Sequence, residues 1–284
     1  MVRGYSRPRS LDEALEMLAR LTPRALPIAG GTDLLVDLRE GRLGECHLVD
    51  ISRLEELKVL EKRSGKIRVG AGLTFSEVER SGLLRECAPV LVKASSQVGS
   101  LQIRNVGTIG GNVAHCSPAA DTIPALLVHR ARVVLRSSNG SREVALEALL
   151  GGPYKALLAP GELITEFVLE DASHMWGEFS KIGRRRELAI ARLSLAALAR
   201  KEDGRIGELY LALGAGTPVP RRMESAERAL LGKRPQEGDL WEAGWLMAQE
   251  MVSVSGPRPS THYKEKAACG LLVRTLLPLL EDGS

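Results

Sequence analysis

The sequence predicts an α+β protein with two small α/β subdomains and a lobe in which a sheet gives way to helices. Three observations carry that reading. Residues 25–51 read as strand, helix, strand, a compact βαβ unit. Between 58 and 172, short β-prone runs alternate with capped helices. From about 173 the pattern turns to long alternating runs, and from about Met223 to helices. A chain of 284 residues suits this division. The expected units are 1–172, split into subdomains of about 1–57 and 58–172, and 173–284.

The elements follow in order. Ser10 and Glu13 form an S-x-x-E capping box, and Leu11, Ala14, Leu15 and Leu18 make one apolar stripe, so a helix opens after Ser10. ALPIA (25–29) reads as a short buried strand. DLLVDLRE (33–40) reads as a helix with Gly41 at its C-terminus, and HLVDI (47–51) as the next strand. KIRVGAG (66–72) alternates like a strand. Thr74 and Glu77 repeat the capping-box pattern. Pro89 suits the first turn of a helix within 88–100. Asp121 is placed to cap the helix of DTIPALLVHR. Residues 132–146 read as a hairpin with a type I′ turn at Asn139-Gly140. ELITEFVLE (162–170) is a strand, and GELYLALGA alternates well. Residues 191–200 fit strand or helix equally. The remainder, MESAERALLG, DLWEAGWLMAQEM and THYKEKAACGLLVRTLLPLLE, reads as helices.

Composition excludes several classes. Apolar residues make up 44% of the chain, enough for a sizeable core, and charged residues 26%. A net charge of +4 with only 4% aromatics gives no basic stripe interleaved with stacking rings, so nucleic acid is not an expected partner. Cys46, Cys87, Cys116 and Cys269 show no metal-ligand spacing, so no metal or iron–sulfur site is expected on this chain. The N-terminus lacks a secretory apolar region and no stretch is long enough to span a membrane. The expectation is a cytoplasmic protein.

Two glycine pairs interrupt apolar runs: AGGTDLL at 29–35 and TIGGN at 108–112. A strand that turns at Gly-Gly into a helix exposes backbone N–H groups, and glycine lets a phosphate approach without a Cβ in the way. One such pair is more often a plain turn. Neither is a Walker A loop, because no G-K-[ST] follows, and Gly70 and Gly72 lack the third glycine of a dinucleotide fingerprint. Two pairs together suit the two phosphates of a cofactor that is held and not hydrolysed. Asp33 is the awkward member, since a carboxylate repels phosphate. It fits better as a helix cap, turned toward backbone donors.

PIAGGTDLL, IRNVGTIGGNVAHCSPAADTIPALL and FSKIGRRRELAIARLSLAAL resemble the FAD-binding subunit of molybdenum hydroxylases, such as xanthine dehydrogenases and aerobic carbon monoxide dehydrogenases. The resemblance runs from end to end. It implies a vanillyl-alcohol-oxidase (PCMH) type FAD fold, with a C-terminal lobe of a three-stranded antiparallel sheet and helices. It implies that Pro27, Ile28, Ala29, Gly30, Gly31, Thr32, Asp33 and Leu34 line FAD, with 29–33 at the pyrophosphate. Thr108, Ile109, Gly110, Gly111 and Asn112 would form the second pyrophosphate loop. Asp121 matches an acidic residue on the adenosine side, Ile164 an apolar position near the adenine, and Lys181 a lysine near the isoalloxazine. It also implies partners: a molybdopterin-binding large subunit, a [2Fe–2S] small subunit and an electron acceptor such as NAD. This chain carries neither of those other modules, nor a cysteine-rich insertion.

Other residues admit two readings. His115 follows the second glycine pair and is a phosphate contact or a bystander. Lys181, Arg184, Arg185 and Arg186 are a solvated loop, or a positive field beside the cofactor or a partner. Tyr154, Tyr263 and Cys116 read as structural. No catalytic acid–base pair is expected, because a flavin carries the redox chemistry. A self-contained FAD oxidase and a scaffold that no longer binds FAD are the alternatives.

Overall fold

The computed structural model describes residues 1–185 and 189–281; Arg186, the last of the basic cluster, lies outside the described residues. The first lobe is a parallel sheet of β1 (Val2–Ser6), β2 (Ala25–Ile28) and β3 (Cys46–Asp50), in the order β1-β3-β2. α1 (Leu11–Leu21) links β1 to β2, and α2 (Leu34–Arg39) links β2 to β3. The predicted stripe of α1 is buried against Val49 and Ile51. Ser10 Oγ accepts from Glu13 N, while the Glu13 carboxylate accepts from Arg9 N, so the box closes one residue early. Gly41 ends α2 with φ +70°. β1 carried no sequence signal, being short and mostly exposed.

The second lobe is an antiparallel sheet ordered β4-β5-β10-β6-β7. Its early strands are β4 (Leu60–Arg63) and β5 (Lys66–Gly70). Six short helices follow: α3 (Phe75–Arg80), α4 (Gly82–Cys87), α5 (Pro89–Ser96), α6 (Leu101–Arg104), α7 (Ile109–His115) and α8 (Thr122–Val128). Then come β6 (Arg132–Ser137), β7 (Gly140–Ala145), α9 (Leu146–Leu149), the small hairpin β8 (Leu150–Gly152) and β9 (Lys155–Ala156), and β10 (Leu163–Glu170). Thr74 and Glu77 complete the predicted capping box, and Pro89 opens α5. The β6–β7 turn differs from expectation. Ser137 pairs with Gly140, so the turn is Ser138-Asn139, and neither has a positive φ. Ser137 Oγ accepts from Asn139 N and holds the turn one residue earlier than a type I′ turn requires.

The third lobe has β11 (Trp176–Gly183), β12 (Ala191–Glu202), β13 (Arg205–Gly214) and the two-residue β14 (Arg221–Arg222). The sheet therefore has four strands and not three. α10 (Glu224–Leu230), α11 (Glu237–Ser255) and α12 (Thr261–Glu281) complete the chain. The ambiguous 191–200 segment is strand because both faces of its alternation are buried. Leu193, Leu195 and Ala197 pack on α10–α12, while Ala196 and Leu198 join the core of the second lobe. This shared sheet places Lys181 of β11 beside the start of α8.

No helix among the described residues is long and apolar enough to cross a membrane. Among the described residues, no group of three or more His, Cys, Asp and Glu is placed to hold a metal ion. All four cysteines are free and buried.

Candidate functional site

The three lobes meet at a cavity of about 580 Å³, within the range of small-molecule and cofactor sites. One wall is the β2–α2 segment, Pro27 to Leu34. Another is α7 with Thr108, Gly111, Asn112 and His115. Asp121 and Lys181 close the far end.

The first glycine pair is an open loop. Gly31 takes φ +67°, the left-handed region that favours glycine. A Cβ on Gly30 would lie 2.0 Å from the Val106 carbonyl oxygen, so this glycine lets the first lobe abut the second. Among the described residues, the backbone N–H groups of Gly30, Gly31, Thr32 and Asp33 donate to no protein acceptor. Four unpaired donors in a row at a cavity wall suit an anionic group.

The second pair is not a loop. Gly110 and Gly111 lie in the first turn of α7, with Thr108 as N-cap. Its donors are already committed. Ile109 N donates to Leu73 O, Gly110 N to Ala71 O, and Gly111 N to Thr108 Oγ1. Gly110 is buried, and a Cβ there would lie 2.6 Å from Ala71 Cβ. Gly111 faces the cavity, where a Cβ would meet only Thr108 Oγ1 at 3.0 Å. Asn112 Oδ1 accepts from Thr122 Oγ1, which leaves its NH2 end as the free donor. Gly70 and Gly72 are packing glycines too: a Cβ on either would strike Leu57.

Both carboxylates assigned to capping do something else. Asp121 precedes α8 but makes no cap bond. Its Oδ2 accepts from Lys181 Nζ at 2.5 Å, and Lys181 also donates to Gln97 O at 3.1 Å. Both side chains are buried, and Asp121 Oδ1 has no hydrogen-bond partner. Burial pushes the Asp121 carboxyl up to about 6, although the Lys181 charge pulls the other way. A buried, short-handed carboxylate oxygen is an acceptor for a ligand hydroxyl or N–H. Asp33 likewise caps nothing. Its carboxylate stays on the cavity side, 3.7 Å from His115 Nε2, and does not turn away toward backbone donors.

Three residues expected at the cofactor lie beneath the wall. Ile109 and Gly110 are held against 71–73, and Ile164 in β10 is core. Apolar lining residues that sequence reasoning passed over are Phe75, Val98, Ile103, Leu158 and Ile190. Periodicity marks such residues as apolar without saying which face a cavity. The basic cluster divides as well. The Lys181 side chain is largely covered and paired, while Arg184 and Arg185 are exposed and border an adjoining cavity of about 790 Å³ with Arg104 and Arg274.

Such a cavity, with paired glycines, unpaired backbone donors and an unsatisfied buried carboxylate, defines a protein suited to hold an anionic cofactor. Residues 1–169 match the family model described as FAD binding domain in molybdopterin dehydrogenase, and 178–279 match CO dehydrogenase flavoprotein C-terminal domain. The chain belongs to this family of FAD-binding flavoproteins. It is 32% identical over 228 residues to the xanthine dehydrogenase FAD-binding subunit of Escherichia coli O157:H7, covering 79% of this chain and 78% of that one. It is 30% identical to the nicotinate dehydrogenase FAD-subunit of Eubacterium barkeri, covering 97% and 95%. A solved carbon monoxide dehydrogenase from Hydrogenophaga pseudoflava superposes with a TM-score of 0.89 at 29% identity, covering 96% of both chains.

Proposed function

We propose that this chain is the FAD-binding electron-transfer subunit of a heteromeric molybdenum hydroxylase. It would work in the cytoplasm, take electrons from a [2Fe–2S] subunit and deliver them to an external acceptor such as NAD. A molybdopterin-binding subunit would oxidise the substrate. The names of the relatives support the class of complex. The observation that carries the reading is the conjunction, in one cavity, of the four unpaired N–H groups at 30–33 with the orphaned oxygen of Asp121.

FAD, when bound, supplies the redox chemistry. The chain's own residues bind and orient it. The N–H groups of 30–33 would donate to the diphosphate, and the Thr108 hydroxyl and the Asn112 NH2 at the start of α7 are further donors on the same cavity. Asp121 Oδ1 would accept a hydrogen bond from a cofactor hydroxyl. Phe75, Val98 and Ile103 keep water from the apolar part of the cavity. Lys181 holds a positive charge at the end where 1–172 meets 173–284, the two units in which we propose the chain works.

The test is a titration of the purified full chain with FAD. Stoichiometric uptake with perturbed flavin absorbance is expected, and no uptake sinks the reading. Gly31→Asp should weaken binding by about 10-fold or more, because it sets an anion at the diphosphate. Gly31→Ala, which has the same backbone strain without the charge, separates the two causes.

A further inference from the structure

Asp33 poses a problem for any anion site, because a carboxylate sits at the end of a row of free N–H donors. Its surroundings offer a solution. The carboxylate caps nothing, makes its ion-pair contact with His115 Nε2 at 3.7 Å, and belongs to the first lobe while His115 belongs to the second. The His115 ring is fixed from its other side. It meets Tyr154 edge-on, with ring centroids 5.2 Å apart. Tyr154 takes φ +58°, and Cys116, the residue after His115, takes φ +52°. Neither is glycine, and left-handed backbone costs energy for both. They hold each other there: Tyr154 N donates to Cys116 O at 2.9 Å, and Cys116 Sγ contacts Gly152 O at 3.4 Å. These bonds outweigh the strain and keep the β8–β9 hairpin against the end of α7 and the tyrosine ring against the imidazole.

We infer that Asp33 is a positioning residue that acts through His115. The inference rests on the proposal that this cavity binds FAD. The Asp33 carboxylate faces Nε2 at 3.7 Å and biases the ring's orientation electrostatically, with Tyr154 as the opposite stop. Nδ1, which has no protein partner among the described residues, is then the edge offered to the cofactor's diphosphate. Between the Asp33 carboxylate and a bound diphosphate, the ring would donate from Nε2 toward one anion and from Nδ1 toward the other, and so offset Asp33 beside the phosphates. The aspartate thus favours binding of an anion by holding a donor ring across the lobe boundary.

The sign of one substitution tests this. If Asp33 only repels phosphate, Asp33→Asn tightens FAD binding. If it acts through His115, Asp33→Asn weakens it. The full chain, stripped of flavin, is titrated with FAD, and ADP, which has the diphosphate but no isoalloxazine, is measured as a competitor. Asp33→Asn and His115→Gln are each expected to weaken both ligands about 3- to 5-fold, the range of a part-exposed ion pair. The double variant should be no weaker than His115→Gln alone, because the two residues work as one unit. Asp33→Glu should recover part of the loss. Tyr154→Leu, which removes the ring stop, should weaken FAD in the wild-type background and not in His115→Gln.

Tighter binding by Asp33→Asn, or losses that multiply in the double variant, would overturn the inference. A wild-type chain that binds neither FAD nor ADP removes the functional reading itself, and the inference with it. Asp33 is half exposed and makes no cap bond, so melting temperatures of the flavin-free variants should match wild type. A shared drop in melting temperature would assign the residues a structural role instead.

Discussion

The two glycine pairs border one cavity and solve different problems. In the first, the chain leaves β2, turns at Gly31 and leaves the N–H groups of 30–33 unpaired. In the second, the same dipeptide is wound into α7, and its donors are spent on Ala71 and Thr108. One pair supplies donors and the other supplies proximity. The division recurs inside each pair. Gly30 and Gly110 are the glycines against which another backbone lies, while Gly31, where a Cβ would meet only the Ile28 and Leu35 side chains at 3.2 Å, and Gly111 are less confined and line the cavity. A Gly-Gly pair at a cavity wall therefore carries two roles, one for packing and one for the ligand. Substitutions should separate them.

Gly30→Ala should have the largest effect. Its Cβ would lie 2.0 Å from Val106 O and 2.5 Å from the Val106 carbonyl carbon, and backbone cannot step aside as a flexible side chain can. We expect a loss of about 3 kcal/mol or more in urea unfolding, with FAD binding lost because the lobes no longer abut. Unchanged stability would mean that the lobes are not held together here.

Gly110→Ala and Gly111→Ala form the sharper pair, adjacent and chemically identical. At Gly110 the new Cβ meets Ala71 Cβ at 2.6 Å and Ala71 O at 2.8 Å, so a loss of about 1–3 kcal/mol is expected. Gly111 is exposed in the first turn of a helix, and alanine there should leave stability level or raise it by up to about 1 kcal/mol. Its methyl would instead lie in the cavity and weaken FAD. Equal effects of the two on stability would break the division. Thr108→Val comes next. It removes the acceptor for Gly111 N at 3.1 Å, a cap worth about 1 kcal/mol, measurable by the same unfolding curves.

The parts legible in the sequence were those with local causes. The Thr74–Glu77 box, Pro89 at the start of α5 and Gly41 after α2 each depend on residues within about one turn, and the βαβ unit was legible because each of its segments carries its own local pattern. What misled was set by distant partners. Asp121 has the sequence context of a cap, yet Lys181, sixty residues on, takes its carboxylate. Asp33 has the same context, and His115 lies beside it only because two lobes meet. TIGGN looked like a loop because glycine is a poor helix residue, and it is helical because 71–73 and Thr108 engage its donors. Ile164 has an apolar neighbourhood that pattern cannot divide into cavity wall and core; it packs into the core of the second lobe.

The smallest effect extends the comparison from glycines to carboxylates. Asp50, at the end of β3, has a full set of donors: Tyr5, Arg7 and Ser52 hold its carboxylate, and its pKa falls to about 2 against the cost of burial. Asp121 has one donor side chain and an empty oxygen, and burial raises it to about 6. The signs are opposite. Asp50 contributes stability that is present above its unfolded pKa near 4 and is lost as pH falls toward 2. Asp121 contributes stability that is present below about 4 and is lost as pH rises through 6, because the folded state holds the proton longer. Wild type should therefore lose stability relative to Asp121→Asn as pH rises from 4 to 7. Urea unfolding across that range measures it, and a gap independent of pH would mean that Lys181 fully compensates the carboxylate. FAD should remove the difference from its own side: a cofactor hydroxyl donating to Oδ1 favours the ionised form, so near pH 6 binding should release more protons from the wild type than from Asp121→Asn.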